Sequence, residues 1–215
     1  MNNIELDKTH IEAIGHFLAY YRNDLRYFKS FKSEYIDGKK TKLIYPYDTN
    51  KSDAPYLWNF LNDFRVLRNL GIKNGQRDTF IKAFNDYNFS NVESKDVDDF
   101  RKTDMARGPN SKGIENHISL SSKLMMLANP WEIIPFDSRA QRAVGYKSTG
   151  NKSYKDYFNK VKKFREKHEE DLFKMHNVVE QYAKVIEADF KGDLPKIGGI
   201  RKNRLLDKLM WVSGA

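Results

Sequence analysis

Apolar side chains recur every three or four positions along much of the chain, and this spacing constrains the fold more than any other feature. The clearest stretch is 10–28, where the recurring residues are Ile11, Ile14, Phe17, Leu18, Tyr21, Leu25 and Phe28. An α-helix completes one turn in 3.6 residues, so residues at this spacing share one face that can pack against a core. The stretch therefore predicts an amphipathic helix.

Similar spacing and helix-capping residues predict most of the remaining chain to be helical. A second helix is expected to begin near Pro55 and to end at Gly71, because proline suits a first turn and glycine a C-terminal cap. Further helices are predicted over 77–87, 94–102, 122–129, 138–144, 154–169, 170–190 and 202–212. Only 39–47 is compatible with a short strand, and Pro46 limits it. Gly198 and Gly199 are interpreted as a turn before the last helix.

The predicted fold is mostly α, a bundle of several helices. Its 215 residues suffice for a single all-α domain over 1–215, or for two helical lobes, about 1–110 and 111–215, with a cleft between them. No apolar run approaches the roughly 20 residues that span a bilayer, so no membrane partner is expected.

Cysteine is absent from the sequence, which excludes disulfides and cysteine-held metal or iron–sulfur sites and fits a cytoplasmic location. His168 and His176 lack the spacing of three or four residues that brings two imidazoles to one metal ion on a helix. We therefore expect no protein-held metal and no cofactor.

The chain carries a formal net charge of +9, and an excess of this sign favours a polyanionic partner. Much of it lies between 139 and 167, where only Asp156 and Glu166 are acidic. The basic residues of this run are Arg139, Arg142, Lys147, Lys152, Lys155, Lys160, Lys162, Lys163, Arg165 and Lys167. A solvated helix face is the alternative interpretation of such a run.

The segment from Ser119 to Gly145 reads SLSSKLMMLANPWEIIPFDSRAQRAVG. It contains one lysine, Lys123, and one aspartate, Asp137, which follows the lysine by 14 positions. A helix that begins at Lys123, capped by Ser121 or Ser122, would point its free N–H groups at a phosphate. About seven helical residues rise roughly 10 Å, and the extended segment 131–136 is long enough to return over that distance. Asp137 would then lie level with Lys123.

The aspartate is not required as a helix cap, according to the sequence. Ser138 followed by Gln141 forms a capping box of its own. If Ser138 caps the next helix, the carboxylate of Asp137 is free for another role.

These residues resemble the catalytic segment of the helix–hairpin–helix DNA glycosylases, especially the 8-oxoguanine DNA glycosylase branch. In that family a hairpin leads into a helix bearing a lysine, and a proline-flanked return leads to an aspartate before another helix. Here Ser119–Lys123 stands at the hairpin and lysine, and Pro135–Arg139 stands at the aspartate. The resemblance implies a bundle of the glycosylase type and a bifunctional glycosylase and lyase, in which Lys123 attacks the sugar and Asp137 assists it.

The implied substrate is double-stranded DNA with a flipped base. The resemblance implies DNA repair, and the sequence leaves defence against foreign DNA open as the alternative setting. An extruded base needs an apolar or aromatic pocket, for which Trp131 and Phe136 are the nearest candidates. The residues expected to contact DNA are Ser119, Ser121, Ser122, Arg139, Arg142, Lys147, Lys152 and Lys155.

Each assignment has a structural alternative. Lys123 could be an ordinary helix lysine, Asp137 a helix cap or an ion-pair partner of Arg142, and Trp131 a core residue. The acids of VESKDVDDF, 92–100, suggest a nuclease only faintly and suit a first helical turn. At the level of function, the alternatives are a non-catalytic nucleic-acid-binding protein of the same architecture and a helical scaffold that binds an acidic protein.

Overall fold

A computed structural model of the chain describes residues 5–32, 57–66, 84, 87–103, 117–147 and 152–215. These ranges form helices and contain no strand, so the prediction of a mostly α fold is confirmed. The α-helices are α1 (Lys8–Phe31), α2 (Leu57–Asp63), α3 (Val97–Phe100), α4 (Ile118–Ala128), α5 (Ser138–Ala143), α6 (Tyr154–Lys167), α7 (Glu169–Glu187) and α8 (Ile197–Ser213). Short 3₁₀ turns, Ser94–Asp96 and Ala188–Phe190, precede α3 and follow α7.

Helix α1 packs against α8 and α7. Its predicted apolar face is buried or partly buried except at Ile11, which is 59% exposed. Phe17, Tyr21 and Leu25 are fully buried or nearly so, as the three- and four-residue spacing predicts. From α8, Leu205 and Leu209 are buried in the same core. The first and last described helices therefore hold each other in place.

Buried ion pairs join α8 to α1 and to α7. The Arg204 Nε donates to Asp24 Oδ2 at 2.8 Å, and its Nη1 lies 3.0 Å from Asp207 Oδ2. Arg201 makes a two-pronged contact with Glu187, at 2.8 and 3.0 Å. Charges removed from water need such partners, so loss of Asp24 or Glu187 would leave a buried guanidinium without its partner.

Helix α4 runs through the interior, and all but one of its residues are buried. A helix that is apolar on every side belongs in a core, which accounts for Leu124, Met125, Met126 and Leu127. Its neighbours include α1 and α3. The candidate lysine lies on this central helix.

The last helix begins earlier than predicted. Gly198 and Gly199 lie inside α8, not in a turn, and the left-handed residue Lys196 precedes the helix with φ 54°. A Cβ on Gly199 would lie 3.1 Å from the Cβ of Trp131. Glycine at this position is therefore explained by the close approach of Trp131 to α8.

Several predictions fall on residues that the structure does not describe. These are the extended segment 39–47 and most of the predicted helix 77–87. The prediction of a helix that ends at Gly71 is wrong in its C-terminal bound, because α2 ends at Asp63 and Arg65 is left-handed, with φ 53°. Residues 67–71 lie outside the described ranges. The division into one domain or two lobes stays a prediction. None of the helices in the described ranges has both the length and the apolar character needed to cross a membrane.

Candidate active site around Lys123 and Asp137

Lys123 lies in the middle of α4, so the prediction that a helix begins at this residue is wrong. The helix begins at Ile118, and Ser121 N–H already donates to the His117 carbonyl oxygen at 2.9 Å. Ser121 and Ser122 are therefore interior residues and are fully buried. Burial of Ile118 and Leu120 extends the helix by a turn beyond the serines, which were expected to cap it. The phosphate contacts predicted for Ser121 and Ser122 thus lose the free helix end on which they depended, whereas Ser119 lies in the first turn of α4 and is partly exposed.

The amine of Lys123 is removed from water. The residue is 7% exposed, and its Nζ donates to the carbonyl oxygen of Phe64 at 2.8 Å. Burial lowers the pKa of the Lys123 amine, since an ammonium loses its hydration there, and the Arg204 guanidinium adds to the effect. The negative charges of Asp137 and Asp207 act in the opposite direction on this pKa. The amine is thus both desolvated and within electrostatic reach of two carboxylates.

A hydrogen bond between side chain and backbone ties the return segment to α4. Ser122 Oγ accepts from the Phe136 N–H at 2.9 Å, over a separation of 14 residues. The Tyr154 hydroxyl accepts from Ile134 N–H at 3.0 Å and donates to the Ile134 carbonyl at 2.8 Å. The Tyr157 hydroxyl donates to the Pro135 carbonyl at 2.9 Å. Ser122 thus ties the chain immediately before Asp137 to α4, and Tyr154 and Tyr157 tie it to α6.

Asp137 caps α5, so the prediction that Ser138 would do so is wrong. Asp137 Oδ1 accepts from the N–H groups of Arg139 at 2.8 Å and Ala140 at 3.1 Å, whereas Ser138 is exposed. Aspartate and serine are comparable caps, and the sequence alone does not rank them. The cap uses one carboxylate oxygen; the other accepts no hydrogen bond from the described residues. Arg142 donates to the Gly214 carbonyl at 2.7 Å and is not paired with Asp137.

The two aromatic residues predicted to form a base pocket lie in different surroundings. Phe136 is 4% exposed and packs edge-on against Tyr146 and Tyr157. Trp131 lines a cavity of about 310 Å³, which is bordered by Phe28 and Leu194 among others. The described lining of that cavity contains neither Lys123 nor Asp137. The structure does not bring the two predicted base-pocket residues together.

The residues of the basic run 139–167 have two kinds of surroundings: Arg139 packs against an aromatic ring, and the lysines are exposed to solvent. The Arg139 guanidinium stacks 3.8 Å from the centroid of the Trp211 ring. Lys147 and Lys152 are exposed. The exposed lysines of α6 have no carboxylate within ion-pair distance in the described part of the chain; they are Lys155, Lys160, Lys162, Lys163 and Lys167. Helix α6 therefore presents positive charge to solvent.

Two acids of VESKDVDDF, Asp96 and Asp98, accept hydrogen bonds from backbone N–H groups of other described residues. Asp98 accepts from the N–H groups of Tyr154 at 2.9 Å and Lys155 at 3.0 Å, at the start of α6. Asp96 accepts from the Glu93 N–H at 2.8 Å. No group of three or more His, Cys, Asp or Glu side chains in the described ranges is arranged for a metal ion. The structural interpretation of these acids accounts for Asp96 and Asp98.

Sequence reasoning missed three residues around Lys123: Phe64, Arg204 and Asp207. The sequence does contain a signal for Arg204 and Asp207, because these two charged residues, three positions apart, interrupt the apolar face of α8. No sequence signal points to Phe64, since only its backbone oxygen contacts the amine.

No protein-family model, no curated protein and no solved structure matches this chain.

Proposed function

We propose that this protein binds DNA and acts as a DNA glycosylase and abasic-site lyase, with Lys123 as the nucleophile and Asp137 as its acidic partner. The observation that carries the proposal is the desolvated Lys123 amine, whose pKa is lowered by burial and which lies within electrostatic reach of Asp137. An amine is a nucleophile only in its neutral form, and desolvation favours that form.

The proposed reaction has the following steps. The neutral Lys123 amine attacks C1′ of the sugar, and the bond between C1′ and the base breaks with its electrons leaving on the base. Positive charge develops on the sugar as that bond lengthens, and a carboxylate such as Asp137 stabilises it. Ring opening then gives an imine between Lys123 and C1′. Loss of a proton from C2′ allows the 3′ C–O bond to break and releases the 3′ phosphate.

The exposed lysines of α6 are proposed to hold the phosphates of the duplex. Their positive charges have no carboxylate partner among the described residues, so they are available to displace counterions from DNA. Phosphate contacts of this kind position the protein without reading sequence. In this proposal affinity comes mainly from α6, and reactivity comes from α4 and the residue that caps α5.

A second candidate is a non-catalytic nucleic-acid-binding protein. The hydrogen bond from Lys123 Nζ to the Phe64 carbonyl favours it, because the amine already has a partner and is 7% exposed. For catalysis, the amine has to leave Phe64 and reach the sugar. In the second candidate Lys123 is a buried structural residue and α6 supplies the whole function.

Borohydride trapping separates the two candidates. The protein is incubated with duplexes that carry abasic sites or a panel of modified bases, and borohydride then reduces any imine to a stable adduct. The first candidate predicts an adduct with the wild-type protein and with Lys202→Gln, an exposed lysine of α8, but none with Lys123→Gln. Absence of an adduct over the whole panel, with duplex binding intact, would favour the second candidate. An adduct that persists in Lys123→Gln would reject Lys123 as the nucleophile.

A further inference from the structure

Three aromatic rings and two cations form a continuous row along α1, α8 and α5. Lys208 Nζ lies 5.2 Å from the centroid of the Tyr20 ring, and Tyr20 is nearly parallel to His16, at 6.4 Å and 9°. His16 meets Trp211 edge-on at 4.8 Å. The Arg139 guanidinium covers the Trp211 ring at 3.8 Å. We name these five residues the Tyr20–Trp211 surface.

This row is not sealed inside the fold. Tyr20 is 52% exposed, and His16, Trp211, Arg139 and Lys208 are each partly exposed. An exposed aromatic ring offers a flat apolar face on which another planar group can stack. The rings are held in place by one another and still present a face to solvent.

One residue of the surface adjoins the candidate catalytic aspartate in the chain. The backbone N–H of Arg139 donates to Asp137 Oδ1 at 2.8 Å, while the Arg139 guanidinium covers the Trp211 ring. At the other end of the row, Lys208 Nζ lies 3.9 Å from Asp207 Oδ2. The Tyr20–Trp211 surface is therefore linked through Arg139 to the residue that caps α5.

We infer that the Tyr20–Trp211 surface binds an unstacked nucleobase and the phosphate attached to its sugar. Aromatic side chains stack on the flat face of any base, and neighbouring cations pair with the phosphate. This inference rests on the proposed DNA-binding function. It assigns base binding to residues of α1 and α8 in place of Trp131 and Phe136.

Fluorescence of 2-aminopurine in a single-stranded oligonucleotide tests the inference, because stacking on an aromatic side chain changes the emission of this base. Titrations compare the wild-type protein with Tyr20→Ala, Tyr20→Phe and Tyr182→Ala. Tyr182 is the matched control, since it is an exposed tyrosine, 55% accessible, on α7. Circular dichroism confirms that each variant is folded.

The expected result is that Tyr20→Ala weakens binding by roughly 5- to 150-fold, the range for removal of one stacked base. Tyr20→Phe, which keeps the ring, and Tyr182→Ala are expected to bind as the wild type does. Equal affinities for Tyr20→Ala and Tyr182→Ala, or no binding by the wild-type protein, would overturn the inference.

The result for the Tyr20–Trp211 surface can be separated from the result for the chemistry proposed at Lys123. If no borohydride adduct forms but Tyr20→Ala binds weakly, the chemistry of Lys123 fails and the stacking surface stands. If an adduct forms on Lys123 and both alanine variants bind equally, the surface fails and the chemistry stands.

Discussion

The amine of Lys123 lies 2.8 Å from the carbonyl oxygen of Phe64, immediately beyond the C-terminal end of α2. Carbonyl groups at the end of a helix lack partners within it and carry partial negative charge. The contact satisfies both groups at once and joins α2 to the central helix α4. A reaction of Lys123 with a substrate has to break this hydrogen bond, so the end of α2 is coupled to the candidate site.

The hydrogen bond between Ser122 and Phe136 is expected to hold the candidate site together. Ser122→Ala would leave a buried N–H without a partner and lower the free energy of unfolding by about 1–3 kcal/mol. Ser121 is the matched control, because it is equally buried and its hydroxyl has no hydrogen-bond partner among the described residues. Ser121→Ala is therefore expected to be neutral or stabilising. Urea unfolding of both variants measures the contrast, and equal decreases in stability would contradict this assignment.

The two roles of Asp137 are separable by substitution. Asparagine caps a helix about as well as aspartate, whereas alanine costs about 1 kcal/mol. Asp137→Asn is therefore expected to leave the thermal midpoint nearly unchanged and to reduce borohydride trapping strongly, because the charge is removed. Asp137→Ala is expected to lower both. Full trapping by Asp137→Asn would show that the carboxylate charge has no part in the reaction.

Lysines on α6 are expected to set the salt dependence of DNA binding. Replacing Lys162 and Lys163 by glutamine should reduce the slope of log affinity against log salt by about 0.9 for each phosphate that is no longer neutralised. Lys184→Gln is the control, since Lys184 on α7 pairs with Glu180 at 3.0 Å. Fluorescence anisotropy with a labelled duplex at several salt concentrations measures the slopes. A slope that is unchanged in the α6 variant would place the phosphate-binding residues elsewhere.

Burial of Lys123 predicts a pH dependence of stability with a definite sign. Because the pKa of this amine is lowered in the folded protein, the unfolded chain binds more protons between that pKa and the unfolded value of about 10.4. The free energy of unfolding then rises with pH across this interval. Subtracting the values for Lys123→Met removes the contribution of other groups, and the difference should grow in favour of the wild type as pH increases. A difference that is flat or falls with pH would contradict a lowered pKa for the buried amine.

Sequence periodicity predicted the helices well where one face is apolar. Helix α1 extends over Lys8–Phe31, close to the predicted 10–28, and α5 and α6 match their predicted positions to within two residues. An apolar face of this kind can be recognised from the spacing of residues within one helix, without information on the helices that pack against it. The start of α4 was missed because burial of Ile118 and Leu120 outweighs the preference of serine for a cap.

The candidate site could be predicted only in part. Lys123 and Asp137 were named from local sequence, yet the groups that surround the amine come from distant parts of the chain. The hydrogen bond to Phe64 spans 59 residues, and Arg204 pairs with Asp24 across 180 residues. Local patterns carry no information on such contacts. The choice between Asp137 and Ser138 as the cap is likewise not decided by local sequence, because the two residue types are comparable caps.

Identification of the modified residue in a borohydride-trapped adduct tests the central claim most directly. The wild-type protein is trapped on a duplex with a single abasic site and digested, and the modified peptide is sequenced by mass spectrometry. We expect the deoxyribose remnant on Lys123 Nζ. A remnant on any other lysine, or on the N-terminal amine, would contradict the claim that the desolvated amine of α4 is the nucleophile.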